Sequence, residues 1–413
     1  MSPEPKPSAR LMLSQGPVRA VIAVTFVMMI GFGLIAPILP LFARSFGVGY
    51  AGAGVLLSAF GLGRLLFDLV AGPLVDRFGE RACGAAGLAF VAVSALATSL
   101  APSYGIAVVL WGAGGAGSAL AFAALYSYLL KAVPADEMAR TLGLFYGSFN
   151  AGIIAGAPLG GWLADRFGLA SPLVAYCALL ACAALLFLRT VSDPPPRQAV
   201  DAPVGTRVGR RVIDLFALRG FVTALVLNFS YLWMVLAVYD TLVPLFARDE
   251  LGLSPATIGT VLAIALAVEL VVLYPAGWAA DRRGRKAVLV PSFAALLVAI
   301  GLLGWAASLA AFGALMALLG LASGVAGVPP AAVLSDVVPP DRSGAAVGVF
   351  RFCGDLGFFL GPAAAGAAVN AAGFRGAFLL VTIPVALALA LTVATPETLA
   401  RAYRKKNDTA MMR

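Results

Sequence analysis

The sequence predicts an all-α integral membrane protein with twelve transmembrane helices in two pseudo-symmetric six-helix bundles. Its composition, its long apolar runs and an internal repeat lead to this prediction. Hydrophobic residues form 61% of the 413 residues and charged residues only 12%, whereas about a quarter of the residues in an average soluble domain are charged. An apolar composition of this kind indicates a chain that is largely embedded in lipid.

Twelve apolar runs are long enough to cross a membrane, because a hydrocarbon core about 30 Å thick requires roughly 20 residues of helix. In the first half they lie near residues 19–43, 51–75, 83–101, 105–131, 139–163 and 170–190. In the second half they lie near residues 219–247, 254–278, 287–308, 311–334, 344–370 and 374–394. The runs therefore divide equally between the two halves of the chain.

The repeat is clearest in two charged turns. Gly72, Asp76, Arg77 and Gly79 in the first half return as Gly277, Asp281, Arg282 and Gly284 in the second, each 205 positions later. The same offset links Gly143 to Gly348, Gly152 to Gly357, Gly156 to Gly361 and Gly161 to Gly366. Repeats in an apolar chain are common among secondary transporters, whose binding site lies where two bundles meet.

The predicted organisation is a tail at 1–18, a bundle at 19–190, a linker at 191–218, a bundle at 219–394 and a tail at 395–413. The linker contains three consecutive prolines from Pro194 and several arginines. With the N-terminus in the cytoplasm, 23 of the 29 Lys and Arg residues lie on the cytoplasmic side. The positive-inside rule therefore predicts a multi-pass protein of the cell (cytoplasmic or inner) membrane with both termini in the cytoplasm.

Several classes of function are not supported by the sequence. The four cysteines lie in apolar segments without metal-ligand spacing, so we expect no metal and no other cofactor. A nucleotide-driven pump would need a phosphate-binding loop, and an intramembrane enzyme would need a nucleophile with its base; the sequence indicates neither. The charge of +9 follows from membrane topology, so we expect no nucleic acid partner.

The turn Gly277 to Lys286 resembles the motif between the second and third helices of the major facilitator superfamily, and the resemblance extends over all twelve helices. The first copy departs from the motif at Glu80, where a basic residue is usual. The resemblance implies that Asp76 contacts the start of the eleventh helix, near 341–344, and that Asp281 contacts the start of the fifth. Arg77 and Arg282 would share these gating clusters. The alternative is that these are ordinary charged turns without a role in gating.

The fifth helix carries a glycine pattern that resembles the antiporter motif of this family. Close glycine spacing lets helices approach each other, and a proline bends the helix. The pattern favours export over uptake, although tight packing without directional meaning also explains it. The arginine that the family places in the fourth helix is replaced by Trp111. The motif residues are Gly143, Gly152, Gly156, Pro158, Gly160 and Gly161.

Charges inside helices are a further indication of function, because each costs about 3 kcal/mol at mid-membrane unless it is paired or solvated. They are Arg64, Asp68, Asp240, Glu269, Arg351 and Asp355. Arg64 with Asp68 and Arg351 with Asp355 have the i,i+4 spacing of pairs within one helix. The alternative is cross-bundle pairing of Arg64 with Asp355 and of Asn150 with Glu269.

Proton coupling is expected to rest on carboxylates, because the chain has no histidine. Glu269 and Asp240 have no evident cation on their own helices, and a carboxylate removed from water binds a proton more readily. Glu269 lies deeper in its helix and is the first candidate. Asp240 lies nearer the outer end of the seventh helix, where a capping or solvated role is the alternative.

The sequence thus predicts a transporter that resembles the twelve-span drug:proton antiporters, exports small amphiphilic compounds and is driven by a proton gradient. Either Asp240 or Glu269 would favour a cationic substrate. An uptake permease, a lipid flippase and a non-transporting sensor are the alternatives. The expected partners are a small-molecule substrate and membrane lipid, and a monomer is the expected functional form. The candidate cavity residues are Met28, Phe32, Trp111, Phe122, Tyr126, Phe229 and Trp233. The alternative is that these side chains pack against other helices or lipid.

Overall fold

A computed structural model describes residues 16–133, 137–192, 214–339 and 342–399. These residues form helices joined by short turns. The predicted tails before residue 16 and after residue 399 lie outside the described residues, as does most of the linker, 193–213. Within the described part, eleven helical segments are long and apolar enough to cross a membrane.

The first half contains six crossings in chain order. The first, α1, is Gly16–Ile35, continued by the short helix Leu39–Arg44. The others are α2 (Tyr50–Phe78), α3 (Glu80–Ser99), α4 (Tyr104–Ala132), α5 (Met138–Phe167) and α6 (Ser171–Thr190). Each agrees with a predicted run, and α2 extends three residues beyond it because the charged turn continues the helix as far as Phe78.

The second half repeats this order. The helix α7 is Arg219–Met234, continued by the π-helix Val235–Leu242 and by Val243–Asp249. It is followed by α8 (Pro255–Arg283), α9 (Arg285–Leu303) and α10 (Leu309–Gly327, continued by Pro329–Val337). The π-helical turn in α7 was not predicted, since its apolar pattern does not differ from that of an α-helix.

The eleventh apolar segment, Ala345–Ala394, contains 50 residues, more than twice the length that one crossing requires. Helix Ser343–Leu380 is broken inside this segment at Gly373, whose φ is 66° and ψ −179°. We name the part before Gly373 α11, and the part after it together with Ile383–Ala394 α12. The eleven continuous segments thus provide the twelve predicted crossings.

The backbone confirms the sequence repeat. In the described residues every positive φ belongs to a glycine, and the six glycines form three pairs separated by 205 positions. A left-handed conformation is accessible to glycine at little cost, so these residues mark equivalent tight turns. The pairs are Gly47 with Gly252, Gly79 with Gly284 and Gly168 with Gly373.

The two halves meet along two equivalent pairs of helices, α2 with α11 and α5 with α8. Both contacts are close because glycine lies at the interface. A Cβ atom at Gly161 in α5 would overlap the carbonyl oxygen of Pro255 in α8. A Cβ atom at the equivalent Gly366 in α11 would overlap the carbonyl oxygen of Tyr50 in α2. Backbone contact through small residues is the usual way in which membrane helices pack tightly.

The ends of the helices form two opposite faces of the molecule. The basic face carries the α2–α3 turn at Gly79 and the α8–α9 turn at Gly284. The opposite face carries Arg44 at the end of α1 and Asp249 at the end of α7. In the predicted topology the basic face is cytoplasmic.

Candidate functional site

A cavity of about 740 Å³ lies between the two halves. It extends to the basic-face ends of α10 and α11, where Ser335, Val338 and Ser343 form its rim. Its size is within the range of about 300–1,000 Å³ that is usual for ligand pockets. Its other lining side chains include Arg64, Phe122, Tyr126, Tyr146, Asn228, Phe350, Arg351 and Asp355.

The opposite face is closed by contacts between the two halves. Arg44 at the end of α1 forms an ion pair with Asp249 at the end of α7, a residue 205 positions later. Asp165 in α5 accepts a hydrogen bond from the backbone N–H of Ala256 in α8, at 2.9 Å. The ring of Tyr50 in α2 packs edge-on against Phe374 in α12, with centroids 5.1 Å apart. The cavity is therefore open at one face and sealed at the other.

Two of the predicted buried charges, Arg64 and Asp355, meet at the wall of the cavity. The Nε atom of Arg64 lies 3.5 Å from Oδ1 of Asp355 in the other half and 3.9 Å from Oδ2 of Asp68 in its own helix. The cross-bundle arrangement and the same-helix arrangement that the sequence left open are thus both present for Arg64. The ion pair with Asp355 joins α2 to α11 beside the cavity.

Arg351 does not form its predicted same-helix pair. Asp355 lies against Arg64 instead, and no carboxylate oxygen of the described residues lies within 4 Å of the Arg351 guanidinium. Arg351 is exposed in the cavity, with its guanidinium 5.2 Å from the centroid of the Phe122 ring. Arg64 lies 5.4 Å from the same centroid.

Glu269 occupies the middle of α8 and is buried. Tyr231 in α7 donates a hydrogen bond to its Oε1 at 2.9 Å, and Ser323 in α10 donates to its Oε2 at 2.6 Å. The hydroxyl groups of Ser323 and Tyr239 are 3.1 Å apart and extend the network. No Lys or Arg nitrogen of the described residues lies within 4 Å of Glu269, so neutral groups alone satisfy this carboxylate.

The predicted contact between Asn150 and Glu269 is absent from the described residues. Asn150 donates to the carbonyl oxygen of Tyr146 one turn earlier in α5, at 2.9 Å. The prediction was wrong because two residues at corresponding positions of the repeat need not contact corresponding residues of the other half. Arg64 extends across the interface between the halves, whereas Glu269, its counterpart, turns towards Ser323 within its own bundle.

Asp240 lies in the π-helical part of α7 and lines a separate apolar pocket of about 20 Å³. This volume holds about one water molecule. Phe32 from α1, Phe60 from α2 and Trp111 from α4 also line it. Neither Asp240 nor Glu269 lines the large cavity, so the expectation that they would select a cationic substrate there does not fit the geometry.

The seven candidate cavity residues divide between three locations. Phe122 and Tyr126 line the large cavity, while Phe32 and Trp111 line only the small pocket. Met28 is buried in the core of the first bundle. Phe229 stacks on Trp233, whose Nε1 donates to the carbonyl oxygen of Val381 in α12 at 3.0 Å. Met28, Phe229 and Trp233 are therefore packing residues in this structure and not cavity residues, because helix rotation directs them into the bundles.

The charged turns of the basic face do not form the predicted contacts between the halves. Asp76 lies 3.4 Å from Nζ of Lys131 in α4 of its own bundle. Asp281 pairs with Arg285, also within its own bundle, at 2.5 Å. The open cavity separates the halves on this face and keeps these carboxylates away from the other half; Asp341 lies outside the described residues.

Arg77 and Arg282 contact aromatic rings of their own helices. The Arg77 guanidinium lies 5.2 Å from the centroid of Phe78. The Arg282 guanidinium lies 4.5 Å from the centroid of Trp278. A Cβ atom at Gly72 would meet nothing within 4 Å, and one at Gly277 would meet only Val328, at 3.5 Å. Both turns are therefore open on their outer surface.

The structure reveals one ion pair in each half that was not predicted from the sequence. The two pairs lie at corresponding positions, but the acidic and the basic residue have exchanged places. In the first half, Lys131 in α4 lies 2.6 Å from the buried Glu80. In the second half, Arg285 lies 3.0 Å from Asp336 in α10. Glu80 corresponds to Arg285 and Lys131 to Asp336 by the offset of 205. The unusual Glu80 is thus compensated by Lys131, and a search for opposite charges at equivalent positions would have identified both pairs.

The glycine motif of α5 packs against two different helices. Gly152, Gly156 and Gly160 lie against the backbone of α1, at Phe26, Ile30 and Leu34 respectively. Gly161 and Pro158 lie against α8, where a Cβ at Gly259 would contact Pro158. Gly143 has no atom within 4 Å of its ideal Cβ position. The motif therefore joins α5 both to its own bundle and to the other half.

A cavity between two six-helix repeats, open at one face and closed at the other, is the architecture of a secondary transporter. The family model of the Major Facilitator Superfamily matches residues 21–254 and 233–410. The chain belongs to this superfamily, whose members are transporters and not enzymes.

Known relatives are distant. The quinolone resistance protein NorA of Staphylococcus aureus is 23% identical over 238 residues, which cover 56% of this chain and 59% of NorA. The chain thus matches less than two thirds of that relative's length.

Solved structures share the fold. A bacterial homologue of the human lysosomal transporter Spinster, inward-facing and unoccupied, has a TM-score of 0.80 at 15% identity, covering 96% of this chain and 99% of the other. The human organic anion transporter MFSD10 has a TM-score of 0.67 at 18% identity, covering 94% and 100%.

Proposed function

We propose that this protein is a proton-coupled secondary transporter that exports small amphiphilic compounds by alternating access. The main support is the cavity of about 740 Å³, which is open at the basic face and sealed at the opposite face. In the predicted orientation the cavity takes up substrate from the cytoplasm. NorA is named for quinolone resistance, and this supports export of a drug-like compound.

Transport requires the two halves to rock about the α2–α11 and α5–α8 interfaces. Opening of the opposite face breaks the pair between Arg44 and Asp249 and the contact between Asp165 and Ala256. Closure of the basic face moves Asp76 and Asp281 towards the other half. Backbone-to-backbone contacts at Gly161 and Gly366 suit this motion because few long side chains must be repacked.

Glu269 is proposed to carry the coupled proton. Its partners are hydroxyl groups, which donate to a carboxylate and can rotate to accept from a carboxylic acid. Glu269 therefore keeps its hydrogen bonds in both protonation states. The groups that face it are Tyr231 and Ser323, with Tyr239 behind Ser323 and no cation within 4 Å in the described part of the chain.

The proton site is one residue along α7 from the cavity lining. Tyr231 precedes Leu232 in α7, and Leu232 lines the cavity. Protonation reverses one of the two hydrogen bonds, because the carboxylic acid donates through its O–H group, and thereby alters the contact of α8 with α7 or α10. Arg64 and Asp355, by contrast, form an ion pair between the two halves and are proposed to join the halves without carrying a proton.

The test uses sealed proteoliposomes with an imposed pH gradient and a panel of cationic, neutral and anionic amphiphiles. Glu269→Gln should abolish accumulation driven by the gradient and leave gradient-free substrate exchange intact, because only proton binding is removed. The control is Glu250→Gln, which makes the same change at an exposed site on the opposite face and should transport normally. Gradient-driven accumulation by Glu269→Gln at the wild-type rate would refute the proposed coupling.

The same preparation separates the alternatives. An uptake permease would move substrate in the opposite direction under the physiological gradient. A flippase would move labelled lipid between leaflets. A sensor would bind a ligand without transferring it into the vesicle lumen.

A further inference from the structure

The charges that line the cavity differ from those that the sequence suggested for substrate selection. Two guanidinium groups, Arg64 and Arg351, and one carboxylate, Asp355, lie on its wall. The formal charge of this lining is positive by one, and Asp68, which lies 3.9 Å from Arg64 outside the lining, brings the charge of the whole cluster to zero. Asp240 and Glu269, which would attract a cation, lie outside the lining.

The two arginines differ in how they are compensated. Arg64 has carboxylate partners in Asp355 and Asp68, at 3.5 and 3.9 Å. Arg351 has no carboxylate within 4 Å in the described part of the chain, and it is exposed to the cavity. A guanidinium without an anion inside a membrane protein costs free energy unless water or a ligand compensates it. Arg351 is thus the arginine of this lining that no carboxylate of the described residues contacts directly.

The position of Arg351 suits it to an anion. Its guanidinium lies over the face of Phe122, 5.2 Å from the ring centroid. An arginine that stacks on an aromatic ring still presents N–H donors in the plane of the guanidinium. These donors match the two oxygens of a carboxylate. Tyr126 and Phe350, which also line the cavity, provide apolar surface for the rest of a ligand.

We propose that the substrate is a small amphiphilic monoanion whose carboxylate binds Arg351 and whose apolar body packs against Phe122, Tyr126 and Phe350. This inference rests on the transport function proposed above and specifies its substrate class. Asp355 and Asp68 compensate Arg64, which leaves Arg351 to bind a single negative charge. The apolar lining excludes small inorganic anions because they could not replace their lost hydration there.

The experiment measures equilibrium binding to the purified full-length protein with three ligands of one shape. They are 2-naphthoate, the neutral 2-naphthamide and the cationic 2-naphthylmethylammonium. Wild type should bind the carboxylate roughly tenfold or more tightly than the amide, as expected for a charge-assisted hydrogen bond. The ammonium compound should bind most weakly, because the guanidinium of Arg351 at the proposed site repels it.

Arg351→Gln should remove most of the preference for the carboxylate, roughly tenfold in Kd, and leave amide binding unchanged. Arg351→Lys should keep part of the preference for the carboxylate, because the positive charge remains. It should not keep all of it, because the planar guanidinium with its paired N–H donors is lost. Arg375→Gln is the matched control: Arg375 lies 5.9 Å from the ring centroid of Trp305, but on the opposite face, outside the cavity. Each variant should unfold at the wild-type temperature, which excludes misfolding.

Tighter binding of the ammonium compound by wild type would overturn the inference, as would unchanged carboxylate binding by Arg351→Gln or no naphthoate binding at all. Binding needs no gradient, so its outcome is independent of coupling. A protein that prefers the carboxylate but fails in gradient-driven transport refutes the proposed function alone. A protein that transports against a gradient but prefers the ammonium compound refutes only the anion preference.

Discussion

The two halves share a backbone design and differ in their charges. The paired positive-φ glycines and the equivalent contacts of Gly161 and Gly366 show the common geometry. At equivalent positions, however, Arg64 is matched by Glu269, and Glu80 by Arg285. The duplicated backbone thus provides the scaffold of the protein, whereas the proposed chemistry depends on positions at which the two halves have different residues.

The basic-face turns show how a divergent pair keeps its geometry. In both halves the residue after the turn glycine pairs with the end of the fourth helix of its bundle. The next residue, Arg81 or Lys286, donates to the carbonyl oxygen of Leu188 or Val393, near the end of the sixth helix. Leu188 and Val393 are also 205 positions apart. Inversion of the ion pair therefore leaves the surrounding hydrogen bonds equivalent.

Breaking the inverted ion pair should give the largest effect on stability. Lys131→Asp leaves the buried Glu80 without its cation and beside new negative charge, which we expect to cost about 2 kcal/mol or more. Adding Glu80→Arg recreates the arrangement of Arg285, Asp336 and Asp281 in the first half and should restore most of the loss. Thermal unfolding in detergent measures both. A double variant no more stable than Lys131→Asp would contradict the equivalence of the two pairs.

A smaller effect is expected at the interface between the halves. Gly161→Ala places a methyl group against the Pro255 carbonyl oxygen, and overpacking of this kind costs about 1–3 kcal/mol. Gly143→Ala in the same helix meets no atom within 4 Å and is the control. Thermal unfolding and transport rate should both fall for the first variant and change little for the second. Equal behaviour of the two would contradict the proposed role of the α5–α8 contact.

The smallest effect concerns Glu397, beyond the last crossing, whose counterpart in the first half by the offset of 205 is Ser192, a residue without a carboxylate. Burial would raise the pKa of Glu397, but hydrogen bonds from backbone N–H groups, including those of Leu399, Lys286 and Arg285, outweigh it and hold the pKa below its usual value. Its stabilising contribution is therefore complete above the unfolded pKa, about 4.3, and is lost as the pH falls through the lower folded value.

Glu397→Gln should consequently lower the Tm near pH 7. The difference in Tm between wild type and the variant should become smaller as the pH falls below about 4, because Glu397 of the wild type then becomes protonated. Thermal unfolding between pH 7 and pH 3 provides the measurement. A difference that stays constant over this range would show that the carboxylate charge contributes nothing to the α8–α9 turn.

Much of the fold could be predicted from the sequence because bilayer thickness sets the length of each apolar run. The offset of 205 also predicted the equivalence of the turns. The pair between Arg44 and Asp249 was not predicted, although opposite charges at equivalent helix ends are visible in the sequence.

The site was harder to predict because helix rotation decides which side chains face the cavity. Phe229 and Trp233 are aromatic residues of the kind that line binding sites. In the structure, however, Trp233 donates a hydrogen bond to the carbonyl oxygen of Val381, and both residues lie within the second bundle. Arg351 has i,i+4 spacing to Asp355, but Asp355 lies against Arg64. The choice between such partners depends on tertiary packing, which sequence spacing does not reveal.

The most direct test of alternating access is to lock the opposite face. Cysteines replace Arg44 and Asp249 in a variant without the native cysteines, and a short bifunctional thiol reagent joins them. The crosslinked protein in proteoliposomes should lose substrate flux, and cleavage of the crosslink should restore it, because the two ends must separate in each cycle. Undiminished flux through the locked protein would contradict the account.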